Sequence, residues 1–245
     1  MERYISRGGG GDNQVEQAII PLKTDDGNVW NHQVVQSSIM ECLNEVNESP
    51  SPSSSSASLE EDKSEFRIRL ATKDDLTTIT KLVQGLADYV KESDAVYLTA
   101  EDYLRDGFSD HEEPLFYFLL MDRRQATNES NDDDWIPCGY AAYYFGYEIG
   151  SSEGGGRFLY LEDLFIEEEH RKIGGGSLMM QTLSQIALSL QCSRFYWQAL
   201  DWNTAGLNFY KKIGATIQQG VITRRYCGDS LRKFASVHDD DEDRN

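Results

Sequence analysis

Cysteine is scarce and scattered in this chain. Its 245 residues hold four, Cys42, Cys138, Cys192 and Cys227, with no Cys-x-x-Cys and no paired histidines. That excludes a disulfide framework and the common zinc spacings, suits a reducing compartment, and leaves no metal site to expect. Long apolar runs are missing too. None approaches the ~20 residues that span a bilayer. The N-terminus lacks an apolar signal core and is too acidic for an organelle transit peptide. A cytoplasmic protein with no membrane partner is the expectation. Bases are also in short supply, with 23 Lys and Arg against 42 Asp and Glu and a net charge of -19. Both ends are acidic, but residues 65–238 keep a net -8 of their own. A nucleic-acid surface needs clustered Lys and Arg, so no nucleic-acid partner is expected. A negative body instead steers small cations toward itself.

Few large apolar residues occur in residues 1–64, which contain Gly8 to Gly11, the run Ser49-Pro-Ser-Pro-Ser and Glu60-Glu-Asp62. This composition predicts a disordered extension, with 15–22 and 34–46 as short pieces of transient structure. The tail, residues 237–245, holds Asp239-Asp-Asp-Glu-Asp243 and is expected to be disordered as well. One folded domain, 65–236, lies between them.

Within that domain Phe66-Arg-Ile-Arg-Leu70 alternates with the period of a half-buried strand. Thr72 to Asp75 reads as a capping box. Leu76, Ile79, Leu82, Val83, Leu86 and Val90 then recur at helical spacing. A short helix opens at Thr99. Strands are predicted at 115–121, 138–147 and 157–166, the last two joined by a Gly-rich hairpin turn at 151–156 and the first followed by a polar loop at 123–135. A helix over 175–190, a strand over 194–199 and a helix from Asn203 to about Ile213 follow. A final strand pair is predicted at 215–219 and 221–227, then a short helix near 229–235. Helices alternating with strands in the second half predict an α/β domain with a mixed central sheet.

The most informative stretch is Tyr160-Leu-Glu-Asp-Leu-Phe-Ile166 followed by Arg171-Lys-Ile-Gly-Gly-Gly-Ser177. A strand carrying two carboxylates runs through a polar turn into glycines and an apolar helix. A helix N-terminus offers unpaired N–H groups and the positive end of a dipole, a place for phosphate. Neither common nucleotide motif fits. The glycines do not follow the strand directly and no acid stands after the next strand, unlike a dinucleotide fold. Gly176-Ser177 lacks the lysine of a P-loop.

A second signal is Asp201-Trp-Asn203 with Asn208-Phe-Tyr210. Together with Arg171-x-x-Gly174-x-Gly176 it resembles the GNAT acetyltransferase superfamily. Within it the chain resembles the diamine acetyltransferases, which include the spermidine/spermine and thialysine N-acetyltransferases. The likeness runs over roughly 66–235 and includes Gly139-Tyr-Ala-Ala-Tyr-Tyr144 and the Tyr-Leu-Glu-Asp segment.

The resemblance implies a single GNAT-type domain in which a parallel strand pair splays apart, and acetyl-CoA as donor. Backbone groups of Leu164, Phe165 and Ile166 would bind the acetyl-pantetheine arm. Arg171, Lys172, Ile173, Gly174, Gly175, Gly176 and Ser177 would wrap the pyrophosphate, and Asn203 would touch the cofactor from the other side. Glu162 matches the family's base and Tyr210 its acid. Tyr89, Glu162 and Asp163 would face the amine. Adjacent strand residues point to opposite faces, so Glu162 alone is expected in the amine site. Family members are usually homodimers. Three positions depart from the pattern: Val90 follows Tyr89 in place of an acid, Lys172 replaces a glycine, and Val221 replaces a tryptophan. The expected function is transfer of acetyl to a small cationic amine, a diamine, polyamine or lysine-like amino acid. The alternatives are acetylation of a protein N-terminus or lysine, and an acyl-CoA-binding module without catalysis.

Overall fold

The computed structural model describes residues 32–48, 64–109, 113–125, 135–150 and 155–236. The chain forms two compact units, one ending at Trp197 and the other beginning at Gln198. The first is built on a sheet in the order β1 (Ser64–Leu70), β2 (Tyr117–Gln125), β3 (Ile136–Glu148), β4 (Gly156–Ile166) and β5 (Arg194–Trp197). The first four strands run antiparallel to their neighbours, and β5 runs parallel to β4. This is the expected mixed sheet. The strand expected at 115–121 extends to Gln125, while residues 126–134 and 151–154 of the expected loop and hairpin turn lie outside the described residues.

Period-two alternation sorts the sheet's side chains onto two faces. Ile79 and Leu82 of α2 (Leu76–Tyr89) and Tyr103 of α3 (Ala100–Gly107) pack on Phe118, Leu120, Tyr140, Ala142 and Phe165. The opposite face carries Ile68, Leu119, Met121, Leu159 and Leu161, all at most 1% exposed. It is covered by α4 (Gly175–Ser189), whose Met179, Met180, Leu183 and Ile186 are buried.

A further helix, α1 (His32–Glu48), corrects the expectation of a disordered 1–64 extension with only transient structure at 34–46. Val35, Ile39 and Leu43 are 2%, 0% and 2% exposed, and the helix packs on α4 and β1. Their spacing of four residues makes one apolar stripe. Each such side chain contributes about 1.5–3 kcal/mol when removed from water, enough to hold a helix that would be marginal alone. Asn47 adds a specific bond. Its Nδ2 donates to Ile68 O at 2.9 Å, and Ile68 N–H donates to its Oδ1 at 3.1 Å. Since β1 is the outermost strand, this amide stands where a neighbouring strand would pair and blunts the edge. The remaining segments expected to be disordered, 1–31, 49–63 and 237–245, lie outside the described residues.

An ion network joins the sheet to α2. Asp122, 1% exposed, accepts at Oδ2 from Arg67 Nη2 at 2.6 Å and Arg69 Nε at 2.8 Å. Arg69 reaches on to Asp75 through Nη1 at 2.9 Å and Nη2 at 2.8 Å. Asp75 also receives the Thr72 N–H at 2.8 Å, completing the predicted capping box.

The second unit contains α5 (Thr204–Lys212), capped by Asn203 and stopped at Gly214 with φ 88°, and α6 (Gly228–Ala235). The strand pair expected at 215–219 and 221–227 does not form. Those residues are without regular structure around Gly220. An isolated two-stranded hairpin is marginal in water, and the described residues of this unit offer it no third strand. No helix among the described residues is long and apolar enough to cross a membrane.

Removing residues 1–48 should therefore lower the thermal midpoint by roughly 10 °C or more, the scale of several kcal/mol in a domain of this size. Asn47→Ala should cost about 1–3 kcal/mol by leaving the Ile68 groups unpaired. A truncated protein that melts with the full chain, followed by circular dichroism, would show that α1 adds nothing.

Candidate active site

The site is organised by an irregularity in β4. Tyr143 of β3 faces Leu161, and the next residue, Ala142, faces Asp163. Glu162 is thus an extra residue, a β-bulge opposite one position of β3. The bulge resets the alternation. Tyr160, Asp163 and Phe165 lie on the α2 face, opposite Tyr144, Ala142 and Tyr140 of β3. The expectation that Glu162 and Asp163 point to opposite faces is therefore wrong. Tyr140 donates its hydroxyl to Asp163 Oδ2 at 3.0 Å. Burial, and then the Glu162 charge, raise the phenols of Tyr144 and Tyr160, two stacked rings 5.1 Å apart on that same face.

Two acids on one side of a strand disfavour each other's charge. Burial pushes the Asp163 carboxyl above the ordinary aspartate range, partly offset by the Tyr140 hydrogen bond. Glu162 is among the exposed residues, yet partial burial of its carboxyl, and then the Asp163 charge, push it up as well. A carboxylate raised in this way is a better-matched base near neutral pH.

The opening lies just beyond the bulge. Strands β4 and β5 pair only from Phe158–Arg194 to Leu161–Trp197, where β5 ends. From Glu162 to Ile166, β4 is bonded to β3 alone among the described strands. Glu167 N–H donates to Cys138 O at 2.9 Å. By alternation Phe165 turns its backbone groups toward β3, and Leu164 and Ile166 turn theirs to the open edge. Of the three predicted backbone contacts, Leu164 and Ile166 are so placed. Phe165 instead puts its ring in the α2-face core, 8% exposed.

A tight turn leads from β4 to α4. His170 Nδ1 lies 2.7 Å from Arg123 Nη1 and accepts from it, since a guanidinium can only donate. Lys81 pairs with Glu167 at 3.3 Å. Arg171 donates from Nε to Ile166 O at 2.6 Å, and its guanidinium lies 4.7 Å from the centre of the Tyr89 ring and 5.5 Å from that of Phe165. Arg171 and Tyr89, read from sequence as phosphate and amine contacts, are thus stacked on one another. Lys172 and Gly174 then adopt φ 67° and 104°. Glycine takes the second without cost, whereas lysine in this region is strained by about 1 kcal/mol or more.

Helix α4 begins without a side-chain cap. Its first internal bond runs from Leu178 N–H to Gly174 O at 3.1 Å. The N–H groups of Gly175, Gly176 and Ser177 therefore have no acceptor within the helix. Ile173, Gly174 and Ser177 are exposed there. Gly175 seats this turn on the sheet, since a Cβ at that position would come within 2.8 Å of Met121 Sδ. Among the predicted residues, those from Glu162 to Ser177 and Tyr89 fall in the first unit. Asn203 and Tyr210 fall in the second, where Asn203 Oδ1 accepts from Gly206 N–H at 3.1 Å and Tyr210 packs on Phe209 with ring centres 5.4 Å apart. The tyrosines beside the acids, Tyr140, Tyr144 and Tyr160, were not predicted. The even spacing of Tyr140 and Tyr144 on β3 is visible in Gly139-Tyr-Ala-Ala-Tyr-Tyr144, but nothing in the local sequence places at Glu162 the bulge that aligns Asp163 with them.

The model of the acetyltransferase (GNAT) family matches residues 84–215. The chain belongs to that family. It is 34% identical over 171 residues to a thialysine N-epsilon-acetyltransferase of Sus scrofa, covering 69% of this chain and 96% of that protein. It is 37% identical over 150 residues to a spermidine/spermine N(1)-acetyltransferase-like protein 1 of Homo sapiens, a match spanning 61% of this chain but only 20% of that protein. In fold it is similar to an integron cassette protein from the mobile metagenome of V. cholerae, with a TM-score of 0.53 at 24% identity, covering 70% of this chain and 98% of the other.

Acetyl-CoA is the acetyl donor of this family, and the turn fits its phosphates: three helix N–H groups without an acceptor within the helix, no capping side chain, and open space beside Gly174 among the described residues. A ligand that binds only the native state raises its melting temperature by mass action. Replacing both Gly174 and Gly176 with valine should abolish the stabilisation by acetyl-CoA. Gly174→Asn should keep part of it, because asparagine tolerates positive φ. An undiminished shift in the double variant would place the phosphates elsewhere.

Proposed function

We propose that this GNAT protein acetylates a primary amine of a small cationic molecule, a diamine, a polyamine or a lysine-like amino acid. The observation that carries the reading is the acid pair. Glu162 and Asp163 share one face of β4, ringed by tyrosines, at the point where the strand opens toward the acetyl-CoA turn. The names of the thialysine and spermidine/spermine relatives support it, as does the net -8 of residues 65–238.

Acetyl-CoA supplies an activated acetyl thioester. A primary alkyl amine has a pKa of about 10.4 and arrives protonated, unable to attack. Glu162 takes that proton, directly or through water, while the Asp163–Tyr140 pair keeps a second negative group nearby to hold the cation. The N–H groups of Leu164 and Ile166 on the open edge would hold the acetyl-pantetheine arm. Those of Gly175, Gly176 and Ser177 would hold the pyrophosphate, flanked by Lys172. By resemblance to the family, Tyr210 is the acid that returns a proton to the departing thiolate, and Asn203 is a cofactor contact.

The test is a CoA-release assay with putrescine, spermidine, thialysine, lysine and a histone-tail peptide at two salt concentrations. Turnover on one or more of the small amines, with kcat/KM falling as salt rises, is expected. A preference for the peptide would favour protein acetylation. No turnover with acetyl-CoA bound would favour a non-catalytic module. Tyr210→Phe should cut kcat by about a hundredfold with acetyl-CoA affinity nearly intact.

The acid pair makes a separate pH prediction. The Asp163 charge raises Glu162, so removing that charge lowers Glu162 and lets it act as a base in more acidic solution. Asp163→Asn, which can still accept from Tyr140, should move the acidic limb of kcat/KM to lower pH. Glu162→Gln should lose activity at neutral pH and regain part of it at high pH, where free amine is abundant. An acidic limb unmoved in Asp163→Asn would separate Glu162 from the titration.

A further inference from the structure

We infer that Tyr89 is a positioning residue for the acetyl-CoA turn, acting through Arg171, and not a contact to the amine. This rests on acetyl-CoA binding at the start of α4. Arg171 ties two elements together, β4 and α2. Its Nε bonds the carbonyl of Ile166, the last residue of β4, at 2.6 Å. Its guanidinium stacks on Tyr89, the last residue of α2, at 4.7 Å, and reaches Phe165 of β4 at 5.5 Å. The residue after it, Lys172, begins the left-handed turn that delivers Gly174 to Ser177 to the helix start.

The seating of α2 makes this strut rigid. A Cβ on Gly85, one helical turn before Tyr89, would come within 2.9 Å of the Phe165 ring. The helix therefore lies directly on β4 and brings the Tyr89 ring under the guanidinium. Carbonyl and ring face together fix Arg171 against the end of β4, and so where the next three residues can turn. A strained φ at Lys172 persists only if its surroundings over-determine it. The Ile166 carbonyl and the Tyr89 ring are the groups that do so on the strand side. What α2 supplies to Arg171 at this point is an aromatic face, so the ring should carry the effect on the turn.

Acetyl-CoA affinity by calorimetry, together with separate KM values for acetyl-CoA and amine, tests the strut. Losing a partly desolvated cation–π contact predicts roughly three- to thirtyfold weaker acetyl-CoA binding in Tyr89→Leu. The amine KM should stay within about twofold. Tyr89→Phe, which keeps the ring, should restore the affinity. Arg171→Lys should weaken acetyl-CoA to a similar degree, and the two losses combined should be far less than additive, as for groups acting as one unit. A raised amine KM with unchanged acetyl-CoA affinity in Tyr89→Leu, a Tyr89→Phe as weak as Tyr89→Leu, or strictly additive losses would each overturn the strut while leaving the proposed function standing. Failure of the unmodified protein to bind acetyl-CoA would overturn both.

Discussion

One constraint governs the first unit: beyond Leu161, β4 has a hydrogen-bonding neighbour on one side only among the described strands. A strand edge in the middle of a sheet is costly unless something occupies it, because each unmet backbone group forfeits a hydrogen bond. Here β5 ends at Trp197 and β4 continues for five residues with Leu164 and Ile166 turned outward. One of those groups, the Ile166 carbonyl, is already satisfied by Arg171. The N–H groups are donors suited to an extended ligand, since an arm lying along them takes the place of the missing strand. A donor molecule with an extended, amide-bearing arm is the chemistry such an edge accepts.

Around that edge the rest of the structure acts as support. Helix α2 is drawn onto β4 by Gly85 and anchored at its first turn by the Asp75–Arg69–Asp122 network. Helix α4 is held on the other face by the close approach of Gly175 to Met121. Helix α1 then closes the far side, packing on α4 and pairing Asn47 with the outer edge of β1. The first unit thus has one edge covered by a side-chain amide and another left open beside its acids. That asymmetry belongs to a binding fold and not to a self-contained sandwich.

Much of this was legible in the chain. The alternation at Phe66 to Leu70, the capping box at Thr72, the helix start at Thr99, the cap at Asn203 and the strand–turn–glycine–helix order from Tyr160 to Ser177 are local signals with local causes. What was not legible depends on partners distant in sequence. Helix α1 has a readable stripe at Val35, Ile39 and Leu43, read only as transient structure between low-complexity neighbours, because its stability comes from α4 and β1. The strands expected near 215–227 have suitable composition, yet composition cannot supply a neighbouring strand. Resemblance to the family puts Arg171 among the cofactor contacts. Its contacts are a carbonyl and an aromatic face, neither marked in the local sequence.

The bulge at Glu162 is the deepest of these hidden features, because the site's charge arrangement depends on it. In an unbroken strand Asp163 would share a face with Leu161, opposite Tyr160, and would project toward the apolar layer under α4. A carboxylate there would lack partners and be strongly disfavoured. The extra residue moves Asp163 to the tyrosine face, where Tyr140 receives it, and leaves Glu162 exposed beside it. It also keeps Phe165 in phase with α2, so that the same ring can pack on Gly85 and underlie Arg171. A single inserted position thereby sets two things together: both acids lie on one face, and the strand still ends in register with the cofactor turn. Deleting one residue at the bulge would restore a regular ladder and rotate either the acids or the turn away from the site, since a one-residue slip exchanges the faces of everything beyond it.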